Sequence, residues 1–395
     1  MTRKSFLKYL ATLGIGAPLL ATLASCSKDE ALPDISTNFQ GKVLIIGAGA
    51  AGITAGYILQ RYGIDFQIIE ASSIYGGRLK KLEGFADFPI DLGGEWIHTD
   101  PSILSKLLDD SSIDESIELI NYQPKTIHIW KGENLRKRNI TSDFYREYKF
   151  KNTTWFDFFD RYMMPEISDR IIYNSPISSI DYTGDKVLVK DTNETTYEGD
   201  KVLVTVPLSI LKSDLITFQP ALPESKTSAL DTVDFPPILK VFMSFSERFY
   251  SDMVIMDGFF EREELFYDAA FGKDSEENIL GLFVIGEPAE AYAFLESDQA
   301  IIDAVLEKLD DIYAGRPSDL FQKAVVQNWT QEPFIQGSYS HFESSGYSST
   351  VETLAEPLED KVYFAGEAMA PNDNTSTVHG ASESAYWALN RMLTD

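Results

Sequence analysis

Six residues, Gly47-Ala48-Gly49-Ala50-Ala51-Gly52, constrain the fold more than any other stretch of the 395-residue chain. They follow an apolar run, residues 42–47, that reads as a strand, and they open a small-residue run, 48–62, that suits a tightly packed helix. A second strand, 65–70, ends in an acid. At this spacing Gly47 permits a tight turn, Gly49 lets the backbone approach a pyrophosphate, and Gly52 lets the helix sit close against the strand. The N–H groups of the helix start, around Ala51, then face the phosphates. Glu70, followed by Ala71, is placed to accept hydrogen bonds from a ribose. The stretch 43–78 therefore reads as one βαβ half-unit of a dinucleotide-binding sheet. Glycines and an acid do not by themselves choose between FAD and NAD.

The next residues do. Ser72 to Tyr75 lead into Gly76-Gly77-Arg78, and this pattern resembles the flavin amine oxidase family, in which the glycine pair and arginine lie against the FAD pyrophosphate. The resemblance implies a close approach at Gly77 and a countercharge from Arg78. It recurs in order along most of the chain. Asp91-Leu92-Gly93-Gly94-Glu95-Trp96-Ile97-His98 looks like the segment that family passes along the flavin ring, which implies cofactor contacts for Gly94, Glu95 and Trp96. Pro176-Ile177 before Asp181 matches the strand whose backbone meets the adenine, at Ile177, and residues 202–207 match the strand and proline that follow. Tyr363-Phe364-Ala365-Gly366-Glu367 resembles the C-terminal flavin strand, with Gly366 and Glu367 near the ribityl and phosphate region. Thr377-Val378-His379-Gly380-Ala381 matches the helix start beneath the ring, bringing Val378 and Ala381 to the cofactor.

The resemblance also implies catalytic residues. Lys240, in Phe235-Pro236-Pro237-Ile238-Leu239-Lys240-Val241, matches the family lysine that contacts flavin N5 through a water. Taken by itself, a lysine at a strand start is ordinarily a solvated edge residue. The segment from Trp329 to Tyr339 resembles the loop that delivers one wall of an aromatic cage, here Tyr339, with Trp329 beside the cofactor. Thr377 stands where monoamine oxidases carry the opposite tyrosine, so the cage is half-built. Ser338 occupies the position of the flavin-linking cysteine of monoamine oxidases, which implies non-covalent FAD. His98 in Trp-Ile-His resembles polyamine oxidases, although a core histidine with no substrate role fits equally. No arginine occurs between Arg78 and Arg136 to hold a substrate carboxylate.

The expected function is oxidative deamination of a primary or secondary amine, with O₂ as acceptor and release of H₂O₂. The rival readings are an L-amino-acid oxidase or tryptophan 2-monooxygenase, a flavin desaturase that would not need Lys240, and a non-catalytic FAD-binding surface lipoprotein. The expected fold is α/β. A Rossmann-like FAD domain built from 41–115, 165–230 and 332–395 is joined to a smaller mixed-sheet substrate domain from 116–164 and 231–331. Strands are expected at 186–189, 201–206, 240–245, 279–284, 323–329 and 361–365, and helices at 298–313, capped by Ser297, and 378–393. In the former, Ile301, Ile302, Val305, Leu306, Leu309 and Ile312 form one apolar stripe. The polar-aromatic stretch 143–161, including Tyr148, Phe150, Trp155, Phe156, Phe158 and Phe159, lies where the family has a longer helical part. It reads as packing under a loop rather than a lid.

A formal net charge of −27 disfavours nucleic acid and favours cations at encounter. No internal stretch approaches the about 20 apolar residues of a membrane span. Residues 1–25 read as a signal peptide, with basic Arg3, Lys4 and Lys8, an apolar stretch 9–23, and Leu23-Ala24-Ser25-Cys26 as a lipobox. Cys26, the only cysteine, would carry the lipid, and 26–40 would form a tether. Thr2-Arg3-Lys4-Ser5-Phe6-Leu7-Lys8 resembles a twin-arginine export signal with lysine in the second arginine position, while an ordinary basic export signal fits as well. Lys28-Asp29-Glu30 resembles a surface-export signal of Gram-negative lipoproteins. The expectation is an exported cell-envelope lipoprotein that meets the membrane only through its lipid. Oligomeric state leaves no trace in the sequence, and no metal site is expected.

Overall fold

The computed structural model describes residues 31–138, 147–256, 263–342 and 347–394. Cys26 and the rest of the signal segment lie outside the described residues, as does 143–146 of the aromatic stretch.

A five-stranded parallel sheet forms the dinucleotide layer, in the order Ile171–Ile172, Asp65–Ile69, Lys42–Ile46, Lys201–Val204 and Val362–Phe364. Its strands are near-continuous apolar runs because helices and a second layer cover both faces. Ile171–Ile172 escaped the sequence reading, since two residues carry no periodicity. On one face the helix Ala50–Arg61 packs against the C-terminal helix Val378–Leu393, and Thr54 Oγ1 donates to Ser382 Oγ at 3.0 Å. Both helices have the small residues such close packing needs. The other face carries an antiparallel meander, Ile177–Asp181, Val187–Asp191 and Thr196–Gly199, with Thr217–Gln219 parallel to the first.

The second large layer is a seven-stranded mixed sheet, in the order Phe321–Asn328, Ile238–Phe245, Asn278–Ile285, Glu264–Asp268, Met253–Met256, Ile127–Trp130 and Leu135–Arg138. Only the Met253 and Ile127 strands run parallel. The helix Asp298–Tyr313 covers this sheet; the Ser297 hydroxyl caps it by accepting from Ala300 N at 3.2 Å, and Ile301, Ile302, Val305, Leu309 and Ile312 are buried.

A three-stranded sheet links the layers, with Tyr148–Phe150 between Trp96–Ile97 and Leu119–Asn121. Phe150, Trp155, Phe158 and Phe159 are almost wholly buried in the same core as the Ala50–Arg61 helix. Their aromatic faces pack edge-on against one another. Among the described residues this stretch is therefore packing, as its composition suggested.

Candidate active site

A cavity of about 1350 Å³ runs between the parallel sheet and the seven-stranded sheet. It exceeds the about 300–1,000 Å³ of ordinary small-molecule pockets, as a dinucleotide with a substrate beside it would require. Every described residue that the sequence assigned to cofactor or catalysis lines this cavity except Gly52. Gly52 has the other role expected of it. A Cβ there would lie 1.9 Å from Gly47 O, so only glycine lets the helix approach the strand this closely.

The phosphate end is a cradle of backbone. Gly47 has φ +102°, and Gly49, the residue preceding the helix, has no side chain to cap it. A Cβ on Gly49 would meet nothing nearer than Gly76 O at 3.9 Å, so its place opens onto the cavity rather than onto protein. Gly76 N donates to Ala48 O at 2.7 Å, fixing the glycine pair beside the first turn. Buried Glu70 accepts from Ala48 N at 2.6 Å and Ser72 N at 2.8 Å. Desolvation raises its pKa, opposed by those donors. Each carboxylate oxygen keeps a second lone pair for a ribose hydroxyl. These features fit FAD. Arg78 supplies the expected positive charge, with a partner of its own: Nη1 donates to Glu367 Oε1 at 3.0 Å and Ser338 O at 2.9 Å.

Glu367 lines the cavity, and besides Arg78 its oxygens accept from Ser340 N, Ser340 Oγ (2.6 Å) and Ser376 N. It ties the C-terminal flavin strand to the loop at 338–340. Lys240 is no edge residue: its strand begins two positions earlier, at Ile238, and every residue of it is buried between two neighbours. Lys240 Nζ donates to Asp91 O at 3.1 Å, Gly93 O at 2.9 Å and Glu95 Oε2 at 2.8 Å. An ammonium has three protons, and all three point at the segment beneath the cavity.

That segment is tightly held. A Cβ on Gly93 would lie 1.8 Å from Arg78 O, and one on Gly94 would lie 2.5 Å from Val378 Cγ2. Trp329 Nε1 donates to Leu92 O at 3.0 Å. Tyr339 stacks on His341, ring centroids 5.0 Å apart. Thr377 is the N-cap of the last helix: its hydroxyl accepts from Gly380 N at 3.0 Å and donates to Asn374 O at 2.7 Å. His98 Nδ1 lies 2.9 Å from Oε1 of Glu147, itself buried.

The sequence reading missed Lys149, Glu147 and His379. Lys149 and Glu147 sit among the aromatics read as packing, and only long-range pairing, Trp96 opposite Lys149, brings them to the site. His379 stood inside a string that was noticed for its glycine. It is fully buried against the cavity, and burial, then His98, pushes its pKa down to about 3, so the ring is neutral.

Comparison with known proteins places this site in a family. A profile of the flavin containing amine oxidoreductases matches residues 50–153 and 157–393. Lysine-specific histone demethylase 1B of Mus musculus is 31% identical over 49% of this chain and 24% of its own length. A lysine-specific histone demethylase 1 homolog of Oryza sativa is 26% identical over 91% of this chain and 58% of its own. The chain thus spans 24% and 58% of the length of these two curated relatives. A solved putrescine oxidase variant superposes with a TM-score of 0.74 at 15% identity, over 90% of this chain and 100% of that one, a likeness of fold. With a profile match over most of its length and a cavity large enough for the cofactor, the chain belongs to the flavin containing amine oxidoreductases.

Proposed function

We propose that this enzyme oxidises a small amine that carries no carboxylate, with O₂ as electron acceptor, giving an imine that hydrolyses and H₂O₂. One observation carries the substrate class. Arg78 and Lys240 are the lysine and arginine side chains lining the cavity among the described residues, and each is already bound to an internal carboxylate, Glu367 and Glu95. Asp100, Glu263 and Asp373 also line it. A cavity of this pattern attracts an ammonium and offers no cation to a substrate carboxylate.

When bound, FAD supplies the two-electron acceptor for the hydride from the carbon bearing nitrogen. The chain binds, orients and desolvates. The amine must be neutral before the hydride leaves, and His98, with Nδ1 held at Glu147, has Nε2 left to take the ammonium proton. Tyr339 and Trp96 present aromatic surface along the cavity, and Thr377 fixes the helix start beneath it.

Anaerobic mixing with diamines, monoamines, Nε-methyllysine peptides and free amino acids, followed at the flavin absorbance band, tests the reading. Bleaching by amines or by the methylated peptide sorts small from peptidic substrates. Bleaching by amino acids alone would sink the proposal. We further propose that the chain is an exported lipoprotein with non-covalent FAD; the segment ending at Cys26 and the presence of Ser338 support these readings.

A further inference from the structure

Strand pairing sets Lys149 opposite Trp96 and delivers a second buried lysine to Glu95. Lys149 Nζ lies 2.5 Å from Glu95 Oε1, while Lys240 Nζ and the Tyr267 hydroxyl hold Oε2 at 2.8 and 2.6 Å. Lys149, Glu95 and Lys240 are 2%, 6% and 3% exposed. Around Lys149 Nζ stand the rings of Trp96, Tyr122 and Tyr267, with centroids at 4.7, 5.5 and 5.1 Å. Three ring faces and the Glu95 carboxylate surround this ammonium.

Burial works to raise the Glu95 pKa, yet Lys149 and Lys240 hold it far below the usual carboxylate range, so it is ionised. Asp91 beside it is pushed well up, by burial and by Glu95, away from ionisation. The buried trio therefore carries two positive charges and one negative. Glu95 and Lys240 both line the cavity and Lys149 stands behind them.

We propose that Lys149 is a positioning residue that acts through Glu95: it holds Glu95 onto Lys240 and leaves the cavity floor one net positive charge, which favours the reduced, anionic flavin. A histidine or arginine is not needed for this; a second lysine, desolvated by aromatic rings, suffices. The inference rests on the reading of the cavity as a flavin site. It assigns to a residue outside the recognised motifs a share in setting the flavin potential.

The test is the midpoint potential of the bound flavin in the FAD-loaded full-length protein, for wild type, Lys149→Met and the double variant Glu95→Gln/Lys149→Met. The net charge of the trio is then +1, 0 and +1. Lys149→Met is expected to lower the reduced-to-oxidised ratio at fixed potential about tenfold, which is about 30 mV for a two-electron couple. The double variant is expected to return to within about threefold of wild type, because Lys240 alone restores the charge. An unchanged potential in Lys149→Met overturns the proposal. So does a double variant as low as the single, since a merely structural lysine predicts no recovery. If Lys149→Met does not fold, Glu95→Gln decides: it leaves the trio at +2, so a potential raised by about 30 mV supports the charge argument and an unchanged or lowered one overturns it. A wild-type chain that takes up no flavin overturns the FAD reading itself, and is told apart by that.

Discussion

The two glycines Gly49 and Gly52 stand three residues apart in one turn, and the structure predicts opposite consequences for the same added methyl. In Gly52→Ala the new Cβ would lie 1.9 Å from Gly47 O and 3.0 Å from Thr205 Oγ1. Both obstacles belong to the strand layer, so the helix has to move by more than an ångström. Such overpacking costs about 1–3 kcal/mol and more against backbone. In Gly49→Ala the backbone is already extended, φ −81° and ψ −172°, and the nearest atom to the Cβ is 3.9 Å away. The apoprotein loses at most about 1 kcal/mol from a poorer N-cap. That methyl instead occupies the space a pyrophosphate needs, and FAD affinity falls by about 10²-fold or more, some 3 kcal/mol. Thermal unfolding of the apoproteins and flavin titration of each variant separate the two terms. Gly52→Ala should lower the apo Tm by several degrees, and Gly49→Ala should leave it nearly unchanged while losing FAD. Native FAD affinity in Gly49→Ala would refute the placement of the pyrophosphate, and an apo Gly52→Ala as stable as wild type would refute the close packing.

Three further outcomes follow from the site. His379 is buried neutral with its pKa pushed down to about 3, so the unfolded chain binds a proton near pH 6.5 that the folded chain refuses. Its contribution to stability is therefore whole above about pH 6.5 and falls by about 2 kcal/mol on the way to pH 5; a urea series at the two pH values should show that fall shrink in His379→Gln. Thr377→Ala removes the cap accepted from Gly380 N and should cost about 0.5–2 kcal/mol of stability. Thr377→Ser keeps the cap, so a loss of turnover in Thr377→Ser at unchanged stability would support a role for Thr377 at the substrate. Cys26→Ala should abolish incorporation of labelled palmitate in cells, and persistent labelling would sink the lipoprotein expectation.

The dinucleotide half of the fold was legible because its information is local. A glycine spacing, an apolar strand and an acid at the end of the next strand lie within 30 residues, and each carries a steric or hydrogen-bonding reason for its place. The helix Asp298–Tyr313 was legible for the same reason, through its Ser297 cap and apolar stripe. Lys240 was recognisable as a position but not as an environment. Its burial follows from strands that pair with it at Phe283 and Gln327, and nothing within ten residues of Lys240 records either. Lys149 was illegible altogether, since its neighbours in sequence are aromatics of an ordinary core and its partner Glu95 comes from the flavin-facing segment. Charges that meet only through tertiary pairing leave no spacing to read.

The same pairing of charges bears on substrate choice. Among the described residues, a substrate carboxylate could be held only if Arg78 left Glu367, a carboxylate about 6% exposed that would lose its counterion, or if Lys240 left Glu95, which would keep Lys149 but lose one of its two buried ammonium partners. Breaking such a buried pair costs about 3–5 kcal/mol, most of what a new charge-assisted contact to the substrate would return. An amine without a carboxylate requires no such exchange, and Asp100, Glu263, Asp373 and His98 all line the cavity that would receive it. An amino acid should therefore be a poorer substrate than its decarboxylated amine by at least about 10²-fold in kcat/KM, the rate equivalent of about 3 kcal/mol. Comparing tryptophan with tryptamine, or lysine with cadaverine, isolates that one group. Equal kcat/KM within either pair would mean that the internal partners of Arg78 and Lys240 exchange freely, and the argument from their occupancy would fall.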